Sequence, residues 1–330
     1  MTRALQSTTF TLKPVPPFRL DLTVVALRRR DDNLVDRWDE DTYKRILTLD
    51  NKPVEVAVQQ IGSIDAPRLQ VTATGEQLAS RIKAMVTVTL ERLLGIRIDL
   101  SQFYRLASRD SKLDSLAEKF RGLKPPRFPT VFEALVNGIV CQQLSLTNGI
   151  RLLNGLAEAG GVCVDGQNAR AFPRPLDLNT LGPSALTKIR LSRQQIRALT
   201  ELSSVIAAGV FDPEKLPRLT DAAAIARLCQ LWGVGRWTAE YTLLRGLGRL
   251  RVFPGDDVGA RNNLEKWLRP ARPFDYEAAR RALARWKPFA GLIYFHLLLL
   301  SREQKNATMM KQGFRTTTRK GANYHAYTYG

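Results

Sequence analysis

Two adjacent carboxylates, Asp256 and Asp257, close the loop "FPGDD" and stand directly before a segment of helical spacing. Upstream lie Trp237 and, one helical turn on, Tyr241, a pair that shares a face if the segment is a helix. An aspartate at a helix start is first of all an N-cap. With two in a row, one can cap while the other faces a cleft. A carboxylate in a cleft suits hydrolysis of a glycosidic bond, because it stabilises an oxocarbenium-like sugar and orients the attacking water. A nucleotide turned out of a duplex also needs aromatic surfaces to receive its base, and Trp237 with Tyr241 supplies them. An aromatic pair at this spacing is equally suited to a plain core, and the residues alone leave open which aspartate faces the cleft.

The elements that must position these groups are legible around them. Ala222–Leu231 reads as one helix, Gly233-Val234-Gly235 as a tight turn, and Arg236–Gly246 as a second helix. The glycines tolerate backbone angles that other residues resist, and free N–H groups where the second helix begins form a site for a phosphate oxygen. An ordinary connection between two helices would look the same without the aspartate loop that follows.

Charge points to the same partner class. The chain of 330 residues carries a net charge of +19, and its first hundred residues hold 15 Lys and Arg against 13 Asp and Glu. The remainder holds 35 against 18. An excess of this size faces phosphate or an anionic surface. It is spread over many segments and not gathered on one amphipathic helix, which disfavours membrane-surface binding. The opening "MTRALQSTTFTLKP" lacks the apolar run of a secretory signal, and no apolar stretch reaches the ~20 residues needed to span a bilayer, so a soluble, cytoplasmic protein is expected. Three dispersed cysteines, Cys141, Cys163 and Cys229, build neither a disulfide framework nor a four-thiolate cluster.

From Phe18 to Thr74 the pattern is β-rich: "FRLDLTVVAL", "TYKRILTLD", "PVEVAVQQIG" and "PRLQVTATG" read as strands of a small antiparallel sheet. A helix with Leu78, Ile82, Met85, Val86, Leu90 and Leu93 on one stripe covers it. The expected fold class is α+β, mostly α. Residues 1–100 form the sheet-bearing domain, residues 101–303 an all-helical domain without a fixed repeat, and residues 304–330 a basic, disordered tail with three tyrosines.

The stretch "LWGVGRWTAEYTLLRGLGRLRVFPGDD" resembles the helix-hairpin-helix, Gly/Pro-rich loop and aspartate signature of the DNA glycosylase superfamily, most closely its AlkA-type 3-methyladenine glycosylases. The segments "FPTVFEALVNGIVCQQLSLTNGIRLLNGL", "LSRQQIRALTELSSVIAAG" and "RWKPFAGLIYFHLLL" resemble other helices of that family, and the β-rich beginning is similar to its extra N-terminal domain. In combination the resemblance covers roughly nine-tenths of the chain.

The resemblance implies Asp257 as the catalytic carboxylate and Trp237 and Tyr241 as walls of the base pocket. It implies Gln143, in "CQQLS", as the side chain inserted where the nucleotide leaves the duplex. Gly233, Val234, Gly235 and Arg236 would contact DNA, with a monovalent cation on the carbonyls of Gly233 and Gly235 and no other cofactor. Leu298 falls where the family has a further pocket aromatic, so base selectivity is expected to differ. His296 lies nearby on an apolar helix and reads better as a hydrogen-bonded core residue. The position of a Schiff-base lysine in lyase relatives holds Trp237, and no lysine occurs between Lys215 and Lys266. The resemblance therefore implies a monofunctional enzyme that acts as a monomer on duplex DNA, excising cationic alkylated bases such as 3-methyladenine and 7-methylguanine. A glycosylase for deaminated or oxidised bases and a non-catalytic damage-binding protein are the alternatives.

Overall fold

A computed structural model describes residues 5–76, 78–166 and 168–321, with side-chain environments through residue 308. The sheet has five strands: β1 (Gln6–Leu12), β2 (Arg37–Asp39), β3 (Thr42–Leu49), β4 (Lys52–Gln60) and β5 (Leu69–Gly75). Their order is β1-β5-β4-β3-β2, antiparallel throughout. The register pairs Val56 with Ala73 and Val58 with Val71, so every second residue of β4 and β5 faces one core. Helices α1 (Leu20–Arg28) and α2 (Ile82–Leu94) cover that face with Leu20, Val24, Leu27, Val86, Leu90 and Leu93.

The sheet differs from expectation at its start. The run "FRLDLTVVAL" is not a strand: Leu20–Arg28 is helical, and the edge strand is the more polar "QSTTFTL" before it. A short apolar run suits a buried helix as well as a strand, and here Leu20, Val24 and Leu27 recur at helical spacing against the sheet. Polar β1 pairs with β5 along its length and brings only Phe10 and Leu12 to the core.

Helices α3 (Ser101–Ala107), α4 (Ser111–Lys119), α5 (Val131–Cys141), α6 (Leu146–Gly160), α7 (Pro175–Lys188), α8 (Arg193–Ala207), α9 (Asp221–Leu228), α10 (Arg236–Arg245), α11 (Val258–Leu268), α12 (Tyr276–Leu283) and α13 (Ala290–Gly321) follow. They build two cores. Helices α5 to α10 close around Val136, Leu153, Leu199 and Leu243, whereas α3, α4 and α11 to α13 close around Phe103, Leu264, Trp286 and Phe295. α10 belongs to both, with Ala239 and Leu243 in the first and Leu244 in the second, and it is buried from Thr238 to Arg245. The expected disordered tail from residue 304 is helical as far as Gly321. The buried turns of α13 nucleate it, and a run without proline lets the helix propagate outward. Residues 322–330, with the three tyrosines, lie outside the described residues.

Sheet and helices are joined by a buried ionic cluster. Arg45 of β3 donates to Asp36 at 2.7 Å and to both oxygens of Glu133 on α5 at 2.7 and 2.6 Å, while Tyr43 donates to Asp36 at 2.7 Å. Burial pushes the Glu133 carboxyl up, against the pull of Arg45. Its removal from water is tolerable only because every charge has an opposite neighbour.

Candidate active site

Of the two hairpin glycines only the first is constrained; Gly235 has an extended backbone, φ −95, and open space around it, so the expected need for glycine there does not hold. Gly233 has φ 76, and a Cβ there would meet Ala198 Cβ at 2.7 Å, so neither the conformation nor the space admits a side chain. Val234 follows with its N–H bonded to the Leu231 carbonyl at 3.1 Å and its side chain buried in the first core. Gly235 then caps α10 without a side-chain acceptor, which leaves the first-turn amides of α10 without one. Gln142, which ends α5, donates from Nε2 to the Gly233 carbonyl and to Thr238 Oγ1, each at 2.7 Å. It locks the hairpin to α5.

The aspartate loop is tied down from three sides. Glu240, buried on α10, accepts from the Gly255 N–H at 3.2 Å and from the Tyr276 hydroxyl at 2.6 Å. Burial pushes the Glu240 carboxyl up, and with Glu240 as neighbour the Tyr276 phenol is pushed up to about 12 by its own burial first. Arg261 donates to the Gly255 carbonyl at 2.9 Å, and Gly255 lies so close to Tyr276 that a Cβ would meet its ring at 2.5 Å.

Asp257 is held at the start of α11 by this loop, where it caps the helix and also reaches the aromatic pair. Oδ1 accepts from the Ala260 N–H at 2.9 Å as an N-cap, and Oδ2 accepts from the Trp237 indole N–H at 3.3 Å. Trp237 stacks on Tyr241 with ring centroids 5.7 Å apart and planes at 29°. Asp256 instead forms a two-bond ion pair with Arg236 at 2.6 and 3.0 Å, and the Arg236 guanidinium lies 3.9 Å from the centre of the Tyr276 ring. Asp257 is half-buried, with its two oxygens oriented by one donor each and the stacked aromatic pair beside it. Such a group can stabilise positive charge developing on a sugar and hold a water for attack.

No family model matches this chain. Over 201 residues it is 29% identical to a DNA-3-methyladenine glycosylase of Bacillus subtilis, a match covering 60% of this chain and 66% of that protein. It is 30% identical over 222 residues to the Mycobacterium tuberculosis protein called "Probable bifunctional transcriptional activator/DNA repair enzyme AlkA", covering 64% of this chain and 42% of that one. The chain therefore spans less than two thirds of both relatives. A solved 3-methyladenine DNA-glycosylase from Archaeoglobus fulgidus superposes with a TM-score of 0.78 over 89% of this chain and 98% of its own, at 24% identity, and shares the fold. These likenesses all point to the AlkA-type helix-hairpin-helix DNA glycosylases, which this chain resembles in sequence and in fold.

Measured against that family, the expected site residues separate into groups. Asp257, Trp237 and Tyr241 meet in one place. Gln143 is exposed beyond α5 with φ 54, presented outward by the residue that Gln142 anchors. Val234 offers only its backbone, because its side chain is core. The Arg236 side chain is committed to Asp256. Leu298 is half-buried against the second core. The carbonyls of Gly233 and Gly235 accept from Gln142 Nε2 at 2.7 Å and from the Ala239 N–H at 3.0 Å, and each keeps a second lone pair. His296 is core, as its setting on an apolar helix suggested: Nδ1 meets the Leu292 carbonyl at 2.9 Å, and burial pushes the imidazole down to about 4.

Three residues of the site escaped the sequence reading. Tyr294 of α13, one turn before Leu298, packs edge-on against Phe253 of the aspartate loop, and burial together with the Asp257 charge raises its phenol. Trp232 stands 47% exposed at the hairpin tip beneath the Arg197 guanidinium, 3.5 Å from its ring centre. An exposed tryptophan beside a glycine turn was the one available sign of it. Arg29, from the turn after α1, donates to the Tyr241 hydroxyl at 3.1 Å. Nothing local in the sequence points to that contact, which spans 212 positions.

Proposed function

We propose that this chain is a monofunctional DNA glycosylase that hydrolyses the N-glycosidic bond of alkylated purines in duplex DNA, acting as a monomer in base excision repair. The names of its relatives support the reaction class. The observation that carries the reading is the placement of Asp257, joined through the Trp237 indole to the hairpin helix, beside a stacked aromatic pair.

The steps follow from this chain's own groups. The hairpin amides at Gly235 and α10 take a phosphate oxygen, and the basic helical part adds non-specific attraction, so binding weakens steeply with salt. The target nucleotide leaves the stack, Gln143 fills the gap, and the base lies against Trp237 and Tyr241. Alkylation at a ring nitrogen makes the base cationic and a good leaving group, and aromatic faces attract it. As the bond from C1′ to the base nitrogen breaks, the electron pair leaves with the base and positive charge spreads over the sugar, where Asp257 opposes it. Water adds its oxygen to C1′ and gives up a proton, leaving an abasic site. Trp237 holds the position a Schiff-base amine would need, and α10 carries no lysine, which supports hydrolysis without strand cleavage.

Release of bases from duplex DNA treated with a methylating agent tests the reading. Liberation of 3-methyladenine or 7-methylguanine without strand nicking is the expected result. If neither appears and uracil, hypoxanthine or oxidised guanine is freed instead, the lesion class is wrong. Tight damage binding with no release leaves only a binding protein.

A further inference from the structure

Trp232 and Arg197 meet at the outer rim of the hairpin. Gly233 lies against Ala198 of α8 with no room for a Cβ, so the turn rests directly on that helix. The contact carries Trp232, the residue before Gly233, onto Arg197, the residue before Ala198, and the guanidinium carbon stands 3.5 Å from the indole ring centre. That is stacking distance for a cation on an aromatic face. Nε donates to Glu201, one helical turn on, at 2.6 Å, whereas the two terminal nitrogens have no hydrogen-bond partner among the described residues. Both side chains reach solvent.

A long arginine in water samples many rotamers, and holding it still costs entropy that one exposed ion pair rarely offsets. Here an aromatic face and a carboxylate fix it together, so the free edge of the guanidinium is held in one direction before any ligand arrives. Such an edge, with paired donors in a plane, fits the oxygens of a phosphate. The surroundings are basic. Arg193 lies one turn before Arg197 on the same face of α8, exposed Lys188 and Arg190 precede it, and Glu201 is the single carboxylate between Arg190 and Ala208. The uncapped first-turn amides of α10 start at the other end of the same turn.

We propose that Arg197 and Trp232 act as one unit, a second phosphate contact beside that of the hairpin amides. Arg197 binds a phosphodiester of the duplex, and Trp232 is a positioning residue that holds the guanidinium flat. The inference rests on the glycosylase reading for the presence of DNA, and it concerns affinity and its salt dependence, not the chemistry at the lesion.

Fluorescence anisotropy of the full chain with a labelled duplex bearing an abasic-site analogue tests it, between about 50 and about 300 mM salt. Arg197→Gln is expected to make the plot of log affinity against log salt shallower by about 0.9, the share of one phosphate, and to weaken binding roughly fivefold in mid-range. Trp232→Ala frees the guanidinium and weakens binding about threefold or more, whereas Trp232→Phe keeps an aromatic face and stays within about twofold of wild type. The double variant with both Arg197→Gln and Trp232→Ala binds within about twofold of Arg197→Gln alone, because the two residues act through one contact. Glu201→Gln keeps an acceptor for Nε and removes the carboxylate beside the phosphate, so binding tightens about twofold or more, a gain that a damaged fold cannot imitate. An unmoved slope for Arg197→Gln, fully additive losses in the double variant, or no gain for Glu201→Gln overturns the proposal. A wild type without affinity for the duplex overturns the glycosylase reading along with it, whereas duplex binding that Arg197→Gln leaves unchanged overturns only the role of this pair.

Discussion

Replacing Asp257 by Asn separates the two tasks this side chain performs. As an N-cap, asparagine ranks with aspartate, and its carbonyl oxygen can accept from the Ala260 N–H as Oδ1 does at 2.9 Å. Removing a negative charge from the start of α11 costs about 0.3–1 kcal/mol, which lowers the melting temperature by roughly 1–4 °C for a chain of this size. The amide then turns its NH2 towards the Trp237 indole N–H, so the 3.3 Å contact becomes donor against donor and the ring relaxes away. The catalytic loss is far larger. A full charge about 4 Å from the developing oxocarbenium, at an effective dielectric near 20, is worth about 4 kcal/mol, or roughly a thousandfold in rate. Single-turnover release of methylated base measures it, with binding to a duplex containing an abasic-site analogue as the control for folding. Asp256→Asn breaks only the half-exposed pair with Arg236, worth about 0.2–1 kcal/mol, and should leave release within about threefold. A loss under tenfold for Asp257→Asn in a folded protein, or an equal loss for Asp256→Asn, would refute the assignment.

Three further outcomes are expected. Gly233→Ala forces a left-handed alanine into Ala198 and should cost about 1–3 kcal/mol in stability while weakening duplex binding at least about tenfold; unchanged affinity in a fluorescence titration would remove the hairpin from the interface. His296 has a folded-state value near 4, below its unfolded one, so the unfolded chain binds the extra proton and stability falls as pH drops from about 6.5 towards 4. His296→Leu should flatten the urea midpoint across that window by the equivalent of about 2–3 kcal/mol at the acid end, and an unaltered slope would contradict the burial argument. Glu133→Gln leaves Arg45 with Asp36 as its one hydrogen-bonded carboxylate and should destabilise the protein by about 3 kcal/mol in denaturant titration. A cost below 1 kcal/mol would mean the cluster is not what joins sheet and helices.

Some of this site was legible because its signals are local. The glycine pair, the aromatic spacing and the aspartates before an apolar-periodic segment each depend on neighbours within one or two turns, and each is found in place. α1 was misread because nine mostly apolar residues satisfy two periodicities, and only the sheet they pack on decides between them. The two aspartates divide otherwise than a cap and a free carboxylate: Asp257 caps α11 and meets the Trp237 indole as well, because a side chain has two oxygens, and its neighbour is taken by Arg236. Arg29 and Tyr294 were out of reach, since their roles arise from chain segments that meet only after folding.

Arg245, fully buried at the end of α10, donates to the carbonyls of Ala26 and Leu27 at 2.9 and 3.1 Å, satisfying the last turn of α1. Cutting the chain before residue 101 would strand that guanidinium without those acceptors and strip the Tyr241 hydroxyl of its donor, Arg29. The helical part is thus not a free-standing catalyst carrying an ornamental neighbour. An attempt to pare the protein to its hairpin-bearing helices should yield an insoluble fragment, and activity should return only when the first hundred residues are supplied again, in the same chain or beside it.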